Sequence, residues 1–108
     1  FQNNFWRREA RNSKTFNEFI KSGVSIVDFS ADWCMPCKIM SPIVDEVAGK
    51  IKNAKFGKVD VDKESGLAQR FQVMSIPTTI FFKNGEQVDR TVGAINKDKI
   101  KEKVAENF

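Results

Sequence analysis

Both cysteines of this chain stand three positions apart in the stretch Asp32-Trp33-Cys34-Met35-Pro36-Cys37-Lys38, directly after the apolar run from Val24 to Phe29. A run of that length and composition reads as a buried strand, and an apolar stripe at helical spacing follows it. The pair is therefore expected where a strand gives way to a helix. Two thiols one helical turn apart place their α-carbons near the roughly 5.5 Å that an S–S bond prefers. The other common use of paired cysteines, structural zinc, needs about four thiolate or imidazole ligands. With two cysteines and no histidine, this chain would have to recruit carboxylates or a second chain, so no metal site is expected. A static disulfide, or two inert thiols, stands as the plain alternative to a dithiol/disulfide couple that opens and closes.

The 108 residues, 41% apolar and 30% charged, have the composition of one soluble globular domain. A chain of this length buries roughly 60–70% of the surface its unfolded form exposes, enough for a core without staples. The cysteines are thus not needed as a disulfide framework. No stretch approaches the roughly 20 apolar residues of a membrane span. The segment from Phe1 to Asn12 is mostly polar, with Arg7, Arg8 and Arg11, and has no apolar core of a secretory leader. A cytoplasmic protein is the expectation. The net charge of +4 does not imply nucleic acid: Lys50, Lys52, Lys55 and Lys58, and Lys97, Lys99, Lys101 and Lys103, are mostly interleaved with acidic or apolar residues. That pattern is a solvated face rather than a phosphate-binding stripe. It favours acidic protein partners through steering that salt weakens.

Along the chain, Thr15 with Glu18 three residues later predicts a capping box opening a short helix, with Phe16, Phe19 and Ile20 on one face and Gly23 as its stop. Val24 to Ser30 is predicted as a strand buried on both faces. A helix follows from about Cys34 to Ala48, with Ile39, Met40, Ile43, Val44 and Val47 as its apolar stripe, Gly49 as its end and Pro42 as an internal kink. A second strand is expected near Lys55 to Val61, and a short helix around Ser65 to Phe71. Thr78 to Phe82 is a dense β-former run, joined through Asn84-Gly85 to a strand from Gln87 to Val92, a strong hairpin signal. Asn96 is placed as the N-cap of the last helix, with Ile95 and Ile100 as a hydrophobic staple. Strands alternating with helices, then a hairpin and a closing helix, define an α/β fold: a central mixed sheet with helices on both faces, in a single domain over residues 13–108. Residues 1–12 are an N-terminal extension or a divergent first strand, with Phe5-Trp6 left unassigned between strand, helix and loose chain.

Four motifs in order resemble the thioredoxin family over nearly the whole chain from Ser13. Val27 through Lys38 is similar to its active-site run, Lys58-Val59-Asp60-Val61-Asp62 to its central strand, Ile76-Pro77-Thr78 to its cis-proline loop, and Asn84-Gly85 with Val92-Gly93-Ala94 to its hairpin and following turn. A CxxC pair beside a βαβ pattern is itself a recognised sign of thioredoxin-like folds. Two features depart from the family pattern. Met35 stands where the family usually has glycine, a position that tunes potential and partner fit, and the usual first strand is not recognisable before Ser13.

The resemblance implies a thioredoxin fold and a protein-disulfide reductase. Cys34 is then the attacking thiol, its thiolate favoured by the unpaired N–H groups of a helix start, and Cys37 the resolving thiol. Asp28, between Val27 and Phe29, is in a costly place for a carboxylate, and desolvation there raises a pKa. Read alone, a strand carboxylate more often faces solvent; the resemblance makes Asp28 a proton acceptor for Cys37. Lys58 follows as its charge partner from the next strand, against the plain reading of a solvated lysine. Pro77 as a cis-proline rests on resemblance alone, since X-Pro bonds are cis only about 5% of the time. Trp33, Met35, Pro36, Ile76, Pro77, Gly93 and Ala94 would form the substrate-docking surface, though simple loop packing also accounts for Trp33.

The implied partners are a thioredoxin-reductase-type electron donor and disulfide-containing protein substrates, with no bound cofactor, no nucleic acid, no membrane, and a monomeric state. Two other functions fit the same chain. A thiol oxidant or isomerase of this fold usually carries histidine before the second cysteine, where Pro36 stands here. A non-enzymatic binding module would keep partner affinity without Cys34.

Overall fold

The computed structural model describes residues 13–51 and 53–107. Its elements are α1 (Ser13–Ile20), β1 (Val24–Ser30), α2 (Met35–Lys50), β2 (Ala54–Asp60), α3 (Ser65–Arg70), β3 (Thr78–Lys83), β4 (Glu86–Val92) and α4 (Lys97–Asn107). The readings of residues 1–12 as an extension or first strand, and of Phe5-Trp6, lie outside the described residues.

Four strands form one sheet in the order β2-β1-β3-β4, with β1 parallel to β2 and antiparallel to β3, and β3 antiparallel to β4. β1 is central and buried along six of its seven residues. Alternate side chains of a strand face opposite sides, and each side has its own core. Val27, Phe29, Ile80 and Phe82 pack with Phe16, Phe19 and Ile20 of α1 and Leu67 of α3. Ile26, Phe56 and Phe81 pack with Met40, Val44 and Val47 of α2 and Ile100 of α4. The first core is aromatic-rich: the Phe16 ring lies 5.6 Å from Phe82 edge-on and 5.3 Å from Phe71. Such geometries are worth about 0.5–1.5 kcal/mol per pair beyond area burial.

The hairpin is a two-residue turn with Asn84 and Gly85 both at positive φ (51° and 90°), the conformation that matches strand twist. Asn84 also closes the sheet end. Its N–H donates to the Gly23 carbonyl at 2.9 Å, and its Oδ1 accepts the Gly23 N–H at 2.8 Å. A register shift at Phe81/Phe82 leaves Val88 as the extra residue of a bulge in β4. Asn96 caps α4, its Oδ1 accepting the Lys99 N–H at 2.9 Å, and Ile95 packs on the core that contains Ile100.

Three local expectations need correction. The backbone is already helical at Ser13, so Thr15 lies inside α1 rather than at its N-cap. Gly49 does not end α2: the helix continues to Lys50, and the Ile51 N–H still donates to the Val47 carbonyl at 2.9 Å. Ile39 is 62% exposed, because the buried face is set by Cys37, Met40, Val44 and Val47. Ile39 sits one residue, about 100° of helix rotation, off that line; Ala48 is buried in the stripe instead. Pro42 is inside α2, where it leaves the Lys38 carbonyl without its usual intrahelical donor.

Candidate active site

Cys34 is the N-cap of α2, with extended backbone (φ −84°, ψ 111°). Its N–H donates to the Ala31 carbonyl at 3.2 Å and its carbonyl accepts from Lys38 at 3.1 Å, so the strand end feeds straight into the helix. Pro36 in the first turn loses nothing, since helix-start N–H groups lack intrahelical partners in any case. Cys34 and Cys37 form a disulfide with α-carbons 5.2 Å apart. The Cys34 sulfur also accepts the Cys37 N–H at 3.2 Å. That contact directs a helix-start donor at the sulfur, which favours negative charge there whenever the disulfide is open.

Each cysteine is only 4% exposed, but each borders an opening. Cys34 lies in a groove of about 480 Å³ with Trp33, Met35, Pro36 and Ile76. Val61, Val73, Met74 and Ser75 complete the groove. Cys37 borders a second, more polar pocket of about 310 Å³ that includes Asp32, Lys38, Asp45 and Lys58. Each sulfur-bearing residue of the disulfide thus lines a different opening.

The groove walls are held from several elements. Trp33 is 69% exposed yet fixed, its Nε1–H donating to Asp62 Oδ2 at 2.7 Å across the loop after β2. Ile76 and Val61 pack against Ala31, Cys34 and Cys37. The Ile76–Pro77 peptide is cis. The Thr78 hydroxyl donates to the Ser75 carbonyl at 2.6 Å, and the Gly93 N–H donates to the Pro77 carbonyl at 2.7 Å. Gly93, at φ 94°, is thereby tied beside Pro77 from the end of β4, but neither Gly93 nor Ala94 lines the Cys34 groove. Val73, Met74 and Asp62 escape a reading by periodicity because they lie in loops. Only its position two residues before the Ile76-Pro77 pair could have drawn attention to Met74.

Asp28 is buried in β1, paired in register with Lys58 of β2 and Thr79 of β3. It lies two residues from Ile26, hence on the sheet face that carries α2 and Cys37. Burial pushes its pKa from 3.8 up to about 7, and the Lys58 charge pulls part of the way back. Among the described residues, its Oδ1 has no hydrogen-bond partner. A carboxyl in that setting exchanges a proton near neutral pH. Among the described residues no group of three or more His, Cys, Asp or Glu is gathered to hold a metal ion. No helix among them is long and apolar enough to cross a membrane.

A mixed sheet between two helical layers, with a CxxC disulfide at the tip of a helix and an apolar groove beside it, is the architecture of a dithiol/disulfide oxidoreductase. The Thioredoxin family model matches residues 8–106, and the chain belongs to the thioredoxin family. It is 45% identical over 94 residues to a thioredoxin of Staphylococcus saprophyticus, covering 86% of this chain and 90% of that one. With a thioredoxin of Staphylococcus haemolyticus it shares 49% over 88 residues, 81% and 85% of the two chains. Among solved structures it is similar to Fasciola hepatica thioredoxin, with a TM-score of 0.84 and 35% identity over 90% and 95% of the chains. The Cys34–Cys37 pair is thus the redox centre of a protein-disulfide oxidoreductase.

Proposed function

We propose that this chain works in the reducing direction, passing two electrons from Cys34 and Cys37 to disulfides of other proteins. The observation that carries the reading is the placement of the disulfide: Cys34 caps a helix on the floor of an open, mostly apolar groove, while Cys37 stands one turn behind it.

In the dithiol state, the Cys34 thiolate attacks one sulfur of the substrate disulfide. A mixed disulfide forms and the first substrate thiolate leaves. Asp28 takes the proton of Cys37, and the Cys37 thiolate then attacks Cys34. The Cys34–Cys37 bond forms, the second substrate thiolate departs, and the substrate has gained the two electrons that the pair has lost. Helix-tip stabilisation of Cys34 is the smaller contribution, because a less basic thiolate is also a weaker nucleophile. The intramolecular attack by Cys37 gives more, since effective molarities of well-placed groups reach about 10⁵ M or above. Lys58 holds the Asp28 proton affinity near neutrality. Trp33, Met35, Pro36 and Ile76 receive an extended substrate segment, which pairs with backbone at Ile76 beside Pro77, with Gly93 and Ala94 at the far end of that surface. A dithiol donor of the thioredoxin-reductase type restores the pair, no bound cofactor is needed, and the chain acts as a monomeric cytoplasmic electron carrier.

Equilibration with glutathione mixtures tests the direction. A reductant of this kind settles as the disulfide and opens only under a large excess of reduced glutathione. A pair that ordinary glutathione buffer holds fully reduced is an oxidant, and the proposal fails.

A further inference from the structure

We propose that Met35 and Met74 form a paired sulfoxidation site that sets how well the Cys34 groove takes a protein substrate; this rests on the reading of that groove as the docking surface. The chain has three methionines, and they divide sharply. Met40 is fully buried in the core beneath α2, whereas Met35 is 65% and Met74 92% exposed. The two exposed thioethers come from unrelated segments, the first residue of α2 and the loop before Pro77, yet both line the groove that holds Cys34. In the disulfide state neither cysteine sulfur is a thiolate. The thioethers are then the groove sulfurs open to a hydroperoxide.

The reaction needs only that oxidant. A thioether lone pair attacks one peroxide oxygen, the S–O bond forms and the O–O bond breaks, and a proton shift releases water. Sulfur loses two electrons and the peroxide gains them. The sulfoxide replaces a flexible apolar surface with a strong dipole, so substrate apolar groups lose contact beside Cys34. The sulfur chemistry at Cys34 itself is untouched. A small disulfide that reaches Cys34 without using the groove is reduced as before, while a protein substrate docks more weakly.

The test treats the disulfide form with hydrogen peroxide, maps the added oxygen by peptide mass spectrometry, and then measures reduction of insulin and of a small aromatic disulfide. Met35 and Met74 gain oxygen well before Met40, and the KM for insulin rises about tenfold, the loss of one apolar contact of methionine size. Turnover of the small disulfide stays within about twofold, as expected when only docking changes. In the Met35→Leu/Met74→Leu variant, peroxide leaves the insulin KM at that variant's own untreated value. Oxidation of Met40 as fast as Met74, an unchanged insulin KM after both sulfurs are oxidised, or an equal peroxide effect in the double leucine variant overturns the proposal. Untreated Ile76→Ser separates the two readings. If it handles insulin as the parent does, the groove is not the docking surface; if it is impaired while the sulfoxidised parent is not, only the methionine proposal falls.

Discussion

Asp28 and Lys58 stand opposite each other in the register of β1 and β2, a carboxyl and an ammonium paired on the sheet face that α2 covers. The pairing does not make Asp28 an ordinary carboxylate. Desolvation outweighs the neighbouring charge and leaves its pKa at about 7. The proton on this buried side chain is therefore one that moves near neutral pH.

Stability follows from that shift. In the unfolded chain Asp28 titrates near 3.8; in the fold it does so at about 7, so the native state holds the proton more tightly. The associated stabilisation is complete below pH 3.8 and is lost as pH rises through about 7. The full gap corresponds to an upper bound on the order of 4 kcal/mol. Asp28→Asn removes the dependence. Urea unfolding at about pH 5 and about pH 8 should show the parent losing stability relative to the variant at the higher pH, and parallel curves would refute the burial argument.

The proposed proton transfer predicts a kinetic profile. If Asp28 accepts the Cys37 proton it does so in its charged form, and release of the mixed disulfide should then speed up as pH rises through about 7. Asp28→Asn should slow that step by about a hundredfold and flatten its pH dependence. Lys58→Met removes the charge that lowers the Asp28 pKa and should move the midpoint upward. Rapid-mixing kinetics with a disulfide peptide give both readouts. An unaltered profile in Asp28→Asn would take the proton-transfer role away.

Cys34→Ser should abolish insulin reduction. In the proposed mechanism Cys37→Ser should instead accumulate a mixed disulfide at Cys34, because the resolving sulfur would be gone while the attacking one is intact. Intact-mass spectrometry after exposure to a peptide disulfide distinguishes the two: an adduct on Cys34→Ser, and none on Cys37→Ser, reverses the assignment.

Phe16 is fully buried among the rings of Phe29, Phe71 and Phe82. Phe16→Ala should cost about 3–5 kcal/mol, as deletion of a buried aromatic does when the cavity cannot collapse. Chemical denaturation measures it. A loss under about 1 kcal/mol would show that α1 contributes little to the core.

Asn84 combines a positive φ with two hydrogen bonds to Gly23. Asn84→Ala keeps the backbone donor, loses the side-chain acceptor and strains the turn. The expected loss is about 1–2 kcal/mol, with the cysteine chemistry unchanged. Thermal unfolding and insulin reduction measured together check both halves of that statement.

The strands and turns were legible because their signals are local. β1 runs from Val24 to Ser30 as its apolar run indicates, and Asn84-Gly85 forms the turn that its φ preferences demand. Helix limits were harder. Gly49 marks a weak helix former, but the packing of Val47 and Ala48 carries α2 past it to Lys50. Ile39 looks like a stripe residue until Cys37 and Met40 fix the buried direction. Of the site, the cysteines could be read from neighbours in the chain, whereas the burial of Asp28 depends on how β1 is covered, and a strand carboxylate read alone more often faces solvent. The far wall of the groove could not be read either, because Val61, Val73 and Met74 meet Trp33 and Cys34 only when the sheet brings three distant loops together.

β1 begins just after Gly23, which is bonded to Asn84, and ends where the chain turns toward Cys34. Seven extended residues separate those ends by about 23 Å. The hairpin tip at Lys83–Gly85 is thus a natural handle: a fluorophore, a surface tether or a fused peptide attached there would sit at the opposite pole from the sulfur exchange and leave it unobstructed.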